Sequence, residues 1–248
     1  TQLYSLNAVA YESIMIGMHY IHRGPHNNIC EEGEFPKLTD LELGFSRDGF
    51  HWDRPDRRGF IRGSRREGIW DRAYLHSTTG VFVVHKDQLI FPYTGYSGIG
   101  MDGSRGMYTG GSMGLATLRR DGFASMDTKG PDGILNTKKI RFDGEYLFVN
   151  TECSKGELRV EVLDESNNVI PMYSAENCHP IRTDNTLQPV RWKDAHTLSP
   201  LRNRTVRLRF YLSNGKLYSF WVSPLRSGAS NGYLGAGSPE HNGVVDKA

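Results

Sequence analysis

The sequence predicts an all-β chain: a partial β-propeller of about two blades followed by a β-sandwich. Three observations point there. First, Ser46-Arg47-Asp48-Gly49-Phe50-His51-Trp52 follows the strand-type run Leu41 to Phe45, and Asp-Gly between apolar runs is a strong signal for a β-corner. Second, the core of that corner recurs. Arg47-Asp48-Gly49-Phe50 reappears as Arg120-Asp121-Gly122-Phe123 after another strand-type run, Gly114 to Leu118. The two copies stand roughly 70 residues apart, beyond the ~40–50 of common propeller repeats, so each unit must carry a long loop as well as its strands. Third, from about Ile134 the texture changes to short strands, several of which alternate apolar and polar residues as strands with one wet face do. Few helical patterns and 28 glycines in 248 residues fit a turn-rich chain.

In the corner itself, Asp48 can accept hydrogen bonds from backbone N–H groups two residues on. Gly49 can take positive φ, and Trp52 offers an apolar face to a neighbouring sheet. Asp48 and Asp121 are therefore expected to hold turns and do no chemistry.

In chain order, Asn7 to His22 begins polar and passes through Tyr11-Glu12 into Ile14-Met15-Ile16-Gly17-Met18. With hardly a polar residue on either face, it reads as one central strand covered on both sides. Gly24 to Pro36 reads as a loop and Leu38 to Phe45 as a strand. The basic stretch Arg54 to Arg66 follows. It reads either as a solvated loop or as a surface for anionic groups such as uronates or sulfates, to which arginine forks are suited. Val81 to Val84, a turn at His85-Lys86-Asp87-Gln88, and Leu89 to Tyr93 form a hairpin, with Pro92 marking an edge or a bulge. Tyr93 to Gly111 is a long glycine-rich loop, of a length more often functional than not. The later strands are Lys138 to Phe142, Tyr146 to Thr151, Leu158 to Val162, Val206 to Phe210 and Leu217 to Val222. Domains are placed at 1–133 (blades), 134–226 (sandwich) and 227–248, a glycine-rich tail read as extended or poorly ordered.

Several function classes find no support. Net charge is only +2, so no overall field calls for nucleic acid or a membrane surface, and no apolar run approaches the ~18 residues of a span. The basic stretch has few aromatics to stack bases. No phosphate loop, Cys-x-x-Cys pair or Gly-x-Ser-x-Gly elbow occurs. His19, His22, His26 and Cys30 have spacings open to a metal, but on a strand His19 and His22 point to opposite faces; ordinary polar histidines are the other reading, and neither metal nor cofactor is expected. Cys30, Cys153 and Cys178 allow at most one disulfide, and a Cys153–Cys178 pair cannot be deduced from sequence. Asn203-Arg204-Thr205 matches a glycosylation acceptor, and the chain enters a strand almost directly at Thr1-Gln2-Leu3, as a piece of a longer protein would. The acceptor pattern fits an extracellular, secreted protein.

Among carboxylates, Glu12 at the entry to the apolar strand and Asp71 beside Trp70 stand in corresponding places in successive units. Arranged radially, both would face the central axis, where apolar walls raise a carboxyl pKa toward that of a general acid. The alternative is that both bond turn amides.

The corner at 46–52, the Tyr11-Glu12 strand, Trp70-Asp71 and the second corner at 120–123 together resemble blades of the five-bladed propeller glycosidases, the invertase-like enzymes of glycoside hydrolase family 32 and their arabinanase relatives. The first corner also loosely resembles the Asp-box of sialidases. A propeller with an appended sandwich is the family-32 architecture, and residues 1 to about 130 suffice for two blades, so the resemblance implies the C-terminal part of such a protein. The Asn-Asp-Pro-Asn, Arg-Asp-Pro and Glu-Cys-Pro motifs of family 32 are absent. The resemblance implies an oligo- or polysaccharide partner and hydrolysis by two carboxylates. Glu12 would be the general acid and Asp71 the second carboxylate. Trp70 and Tyr96 would stack on sugar, and Arg65 and Arg66 would hold an acidic substituent. The competing reading is a non-catalytic carbohydrate-binding or adhesion module, in which the aromatics and arginines matter and the carboxylates do not.

Overall fold

The structure is a computed structural model that describes residues 1–247. Strand takes up 47% of it and helix 5%, so the chain is all-β. It forms two compact units, one from Thr1–Leu118 with Gly232–Val245, the other from Arg119–Asn231 with the chain end from Asp246.

In the first unit, β1 (Gln2–Glu12) and β2 (Ile14–Gly24) form an antiparallel hairpin. Residues 7–22, read above as one strand, are therefore two. The reversal falls at Glu12-Ser13, where Tyr11 opposes Ile14 and Glu12 takes φ 50°. A glutamate with positive φ is uncommon, so nothing in the residue types announced the turn. A short helix, α1 (Asn27–Glu32), interrupts the expected loop and anchors through buried Cys30. Strand β3 (Leu38–Ser46) then pairs with β2.

The corner after β3 is built as its residues require. Asp48 Oδ1 accepts from the backbone N–H of Phe50 at 2.9 Å and of His51 at 2.8 Å. Gly49 has φ 79°, and Trp52 Nε1 donates to the Gly49 carbonyl at 3.0 Å. The indole covers Gly17, where a Cβ would lie 2.5 Å from the ring, and meets the His19 ring edge-on at 5.5 Å.

The second sheet of this unit contains β4 (Ala73–Ser77), β5 (Val83–His85), β6 (Gln88–Tyr96) and β7 (Gly111–Arg119). The expected hairpin is present, with His85 opposite Gln88 and Lys86-Asp87 at its tip. Pro92 lies in a central strand, between the stretch of β6 that pairs with β5 and the stretch that pairs with β4. Its missing N–H falls where the partner changes.

The second unit packs two antiparallel sheets over one core. One has the order β12 (Asp184–Pro189), β10 (Tyr146–Glu152), β14 (Gly215–Ser223), β8 (Met126–Thr128); the other β11 (Glu157–Leu163), β13 (Arg207–Ser213), β9 (Gly133–Asn136). Val149 and Leu217 from the first sheet meet Val160, Leu208 and Phe210 from the second in a common core, the alternate inward residues of a sandwich. Trp192 is buried there and donates Nε1 to the Val160 carbonyl at 3.0 Å. Residues 138–142 make only a bridge, Ile140 to Val206, and β8 and β9 supply strands there instead. Cys30, Cys153 and Cys178 are buried free thiols.

The tail is not loose. Strand β15 (Tyr233–Leu234) pairs with β1, Leu234 is fully buried, and Gly235 N–H donates to the Ala10 carbonyl at 3.0 Å. Positive φ at Gly235 (65°) and Gly237 (113°) lets the backbone turn here, and Ala236 N–H reaches the Phe82 carbonyl at 3.1 Å.

Candidate functional site

Trp70 and Asp71 immediately precede β4. The six-membered ring of Trp70 lies over Gly114 of β7, where a Cβ would sit 2.3 Å from Cη2, and leans on Tyr93 of β6 at 5.4 Å and 38°. Only glycine leaves room for an aromatic ring to lie on a strand in this way. Trp70 is still 37% exposed. Beside it, Tyr93 OH donates to Asp71 Oδ2 at 3.2 Å, and Gly95 clears space against the Asp71 Cα, 2.9 Å from where a Cβ would be. Burial, followed by the Asp71 charge, pushes the Tyr93 phenol up to about 12. Tyr93 thus stays a neutral donor, orienting the carboxylate through one oxygen.

Glu12 stands elsewhere. Tyr4 near the start of β1 touches Tyr74 of β4, OH to OH at 3.2 Å, and Asn7 reaches the Thr78 carbonyl at 3.1 Å, so the two strands run alongside in the same direction. Asp71 precedes Tyr74, whereas Glu12 lies eight residues beyond Tyr4 on an extended strand. At about 3.3 Å per residue, that puts it on the order of 25 Å along β1. Its carboxylate packs against Gly232, where a Cβ would be 2.0 Å from Oε2. The structure therefore does not bring Glu12 and Asp71 together as a pair flanking one bond.

Tyr96 belongs to a second aromatic group. Its ring covers Gly111 and packs on Tyr74 at 5.3 Å, and Tyr74 packs on Tyr108 at 5.5 Å. Lys37, 2% exposed, places Nζ 4.7 Å from the Tyr4 ring centre and 4.5 Å from that of Tyr74, and donates to Tyr4 OH at 3.3 Å and Asn27 Oδ1 at 3.2 Å. Rings and two neutral oxygens hold this ammonium by cation–π and dipolar attraction. The hydrogen bond with Tyr74, followed by that from Lys37, lowers the Tyr4 phenol below its ordinary value.

Arg65 is committed to structure, since Nη2 donates to Asp40 Oδ2 at 3.0 Å. Arg66 is exposed, and its side chain makes no hydrogen bond or ion pair among the described residues. The unexpected charged residues are Asp40 and Glu42, 2% and 1% exposed on β3. Asp40 also accepts from Arg23 Nε at 3.2 Å, and Glu42 accepts from Arg23 and from Arg54 Nη1 at 3.3 Å. Two carboxylates at i and i+2 of one strand, followed by an arginine-rich segment, were the sequence signal for this network. Among the described residues, no group of three or more His, Cys, Asp or Glu is placed to hold a metal ion.

No family model matches the chain, and no curated protein matches it. Among solved structures, it is similar to a variant of a fructofuranosidase from Schwanniomyces occidentalis complexed with fructosylnystose, with 10% identity and a TM-score of 0.20 over 87% of this chain. The match spans 58% of that protein's length. A likeness at this level carries neither fold nor function across.

Proposed function

We propose that this chain binds carbohydrate, and that Trp70 and Asp71 form its sugar-contacting platform. The observation that supports this reading is the exposed indole laid on Gly114 beside a carboxylate that Tyr93 orients through one oxygen. The aliphatic face of a pyranose or furanose stacks on such a ring, while the free carboxylate oxygen accepts a ring hydroxyl. Both interactions leave the sugar partly solvated, as suits a chain of sugars crossing a surface.

Binding is favoured over hydrolysis. Two-carboxylate hydrolysis needs its groups ~5–10 Å apart, and β1 separates Glu12 from Asp71 by well over that.

A glycan array distinguishes the readings. Wild type is expected to bind one class of oligosaccharide; Trp70→Ala and Asp71→Asn should lose that signal, and Glu12→Gln should keep it. Array binding by Trp70→Ala equal to wild type would remove the platform. Turnover of a bound oligosaccharide that Glu12→Gln abolishes would restore the hydrolytic reading.

A further inference from the structure

A pocket of about 250 Å³ opens beside the sheet of β1–β3, lined by Leu3 of β1, Ile21 and Arg23 of β2, Glu42 of β3, and Arg54 and Arg57 from the segment that follows. We propose that this pocket binds an oxyanion, the carboxylate or sulfate substituent of an acidic sugar. The assignment of the ligand to sugars rests on the carbohydrate-binding reading above; the oxyanion itself is argued from the arginines.

Asp40 and Glu42 are almost wholly buried, and a buried carboxylate must be paired. Arg23, Arg54 and Arg65 supply that pairing, so three guanidinium groups already meet two carboxylates. Arg57 adds a fourth cation at the pocket wall, and its guanidinium has no hydrogen bond or ion pair among the described residues. A purely structural pair of acids is neutralised by two bases; this cluster carries two positive charges beyond that.

The pocket's arginines are also pre-organised. Glu42 is fully occupied by Arg23 and Arg54, so it fixes those side chains on the pocket wall. Arg54 donates one N–H to Glu42 Oε2 at 3.3 Å and makes no other hydrogen bond, which leaves most of its five donors for a guest. A planar fork matches a carboxylate or sulfate edge through two parallel bonds, and an arginine already held in place loses less side-chain entropy on binding than a free one. Leu3 and Ile21 give the pocket an apolar wall for a sugar's C–H groups. The volume suits a single sugar residue, below the ~300 Å³ where pockets for larger ligands begin.

Calorimetric titration of the whole chain with sodium glucuronate, sodium sulfate and glucose tests the proposal, using wild type, Arg57→Gln and Arg226→Gln. Wild type is expected to bind glucuronate, sulfate or both, and to show no heat with glucose. Arg57→Gln should weaken oxyanion binding at least tenfold, while Arg226→Gln, a charge-matched change at an exposed arginine outside the pocket, should leave it unchanged. Arg57 is exposed, so both variants should melt with wild type. Binding of glucuronate alone would identify a carboxylate guest, and of sulfate alone a sulfate ester. Absence of oxyanion binding, equal binding of glucose and glucuronate, or equal losses in the two variants would overturn the proposal. The monosaccharide titration reads the pocket alone, and the array with Trp70→Ala reads the platform alone, so failure of one leaves the other standing.

Discussion

His19 and His76 are held neutral by their surroundings. Burial, followed by the Arg54 charge, lowers the pKa of His19; burial, followed by the Lys37 charge, lowers that of His76. For a histidine whose folded pKa lies below its unfolded value near ~6.5, the unfolded chain takes up the proton first. Stability is therefore full above ~6.5 and falls as pH drops from there toward the folded values. Melting temperature is expected to decline between neutral pH and pH 5, and His76→Phe, which suits the surrounding Tyr4, Tyr20 and Tyr74 rings, should flatten that decline. An unchanged slope in the variant would show that other groups cause it. The same scale shows what residue types make legible. Asp48, Gly49 and Trp52 do what their chemistry foretells, because each acts within its own turn. Glu12 does not, because its place depends on a hairpin reversal that glutamate and serine do not advertise, and on a tail that arrives from more than 200 residues away.

At the scale of elements, β3 shows how a regular pattern can mislead. Leu38 to Phe45 alternates in the manner of a half-exposed strand, yet Asp40 and Glu42 on its polar face are as buried as Leu41 on the other. Arginines from β2 and from the following segment cover that face, so what looks like a wet surface is an ion network. Glu42→Gln removes the ion-pair partner of Arg54 and one of the two partners of Arg23. Breaking a buried pair costs 3–5 kcal/mol, and because both arginines remain about a quarter exposed and can rehydrate, about 2–3 kcal/mol is expected in urea denaturation. A loss below 0.5 kcal/mol, on the order of a surface substitution, would mean the network is incidental. The arginine-rich stretch was legible only as either a solvated loop or an anion surface, and which of its arginines are tied to buried carboxylates was not legible. Arg65 is consumed by Asp40, while Arg57, with nothing in its sequence context to distinguish it, is left open.

At the scale of the whole molecule, the chain leaves the first unit after Leu118 and comes back to it at Gly232. In the sandwich, β11 and β13 were readable because Leu158–Val162 and Val206–Phe210 alternate, whereas β8 and β9, three and four residues long, were not. The return of the tail was not, since β15 is two residues long and flanked by glycines whose role is to let backbone approach backbone. Leu234, fully buried, anchors it. Leu234→Ala is expected to cost about 2–5 kcal/mol and to be felt locally: hydrogen exchange should quicken in β1–β3 and stay unchanged in β10–β14. Uniform loss of protection across both units would show that they unfold as one. Sugar binding by this chain turns on the exposed Trp70. Its most direct measurement is a calorimetric titration of the best-bound array oligosaccharide into wild type and Trp70→Ala side by side. A loss of affinity of at least tenfold, about 1.4 kcal/mol, is expected; equal affinities for the two proteins would contradict it.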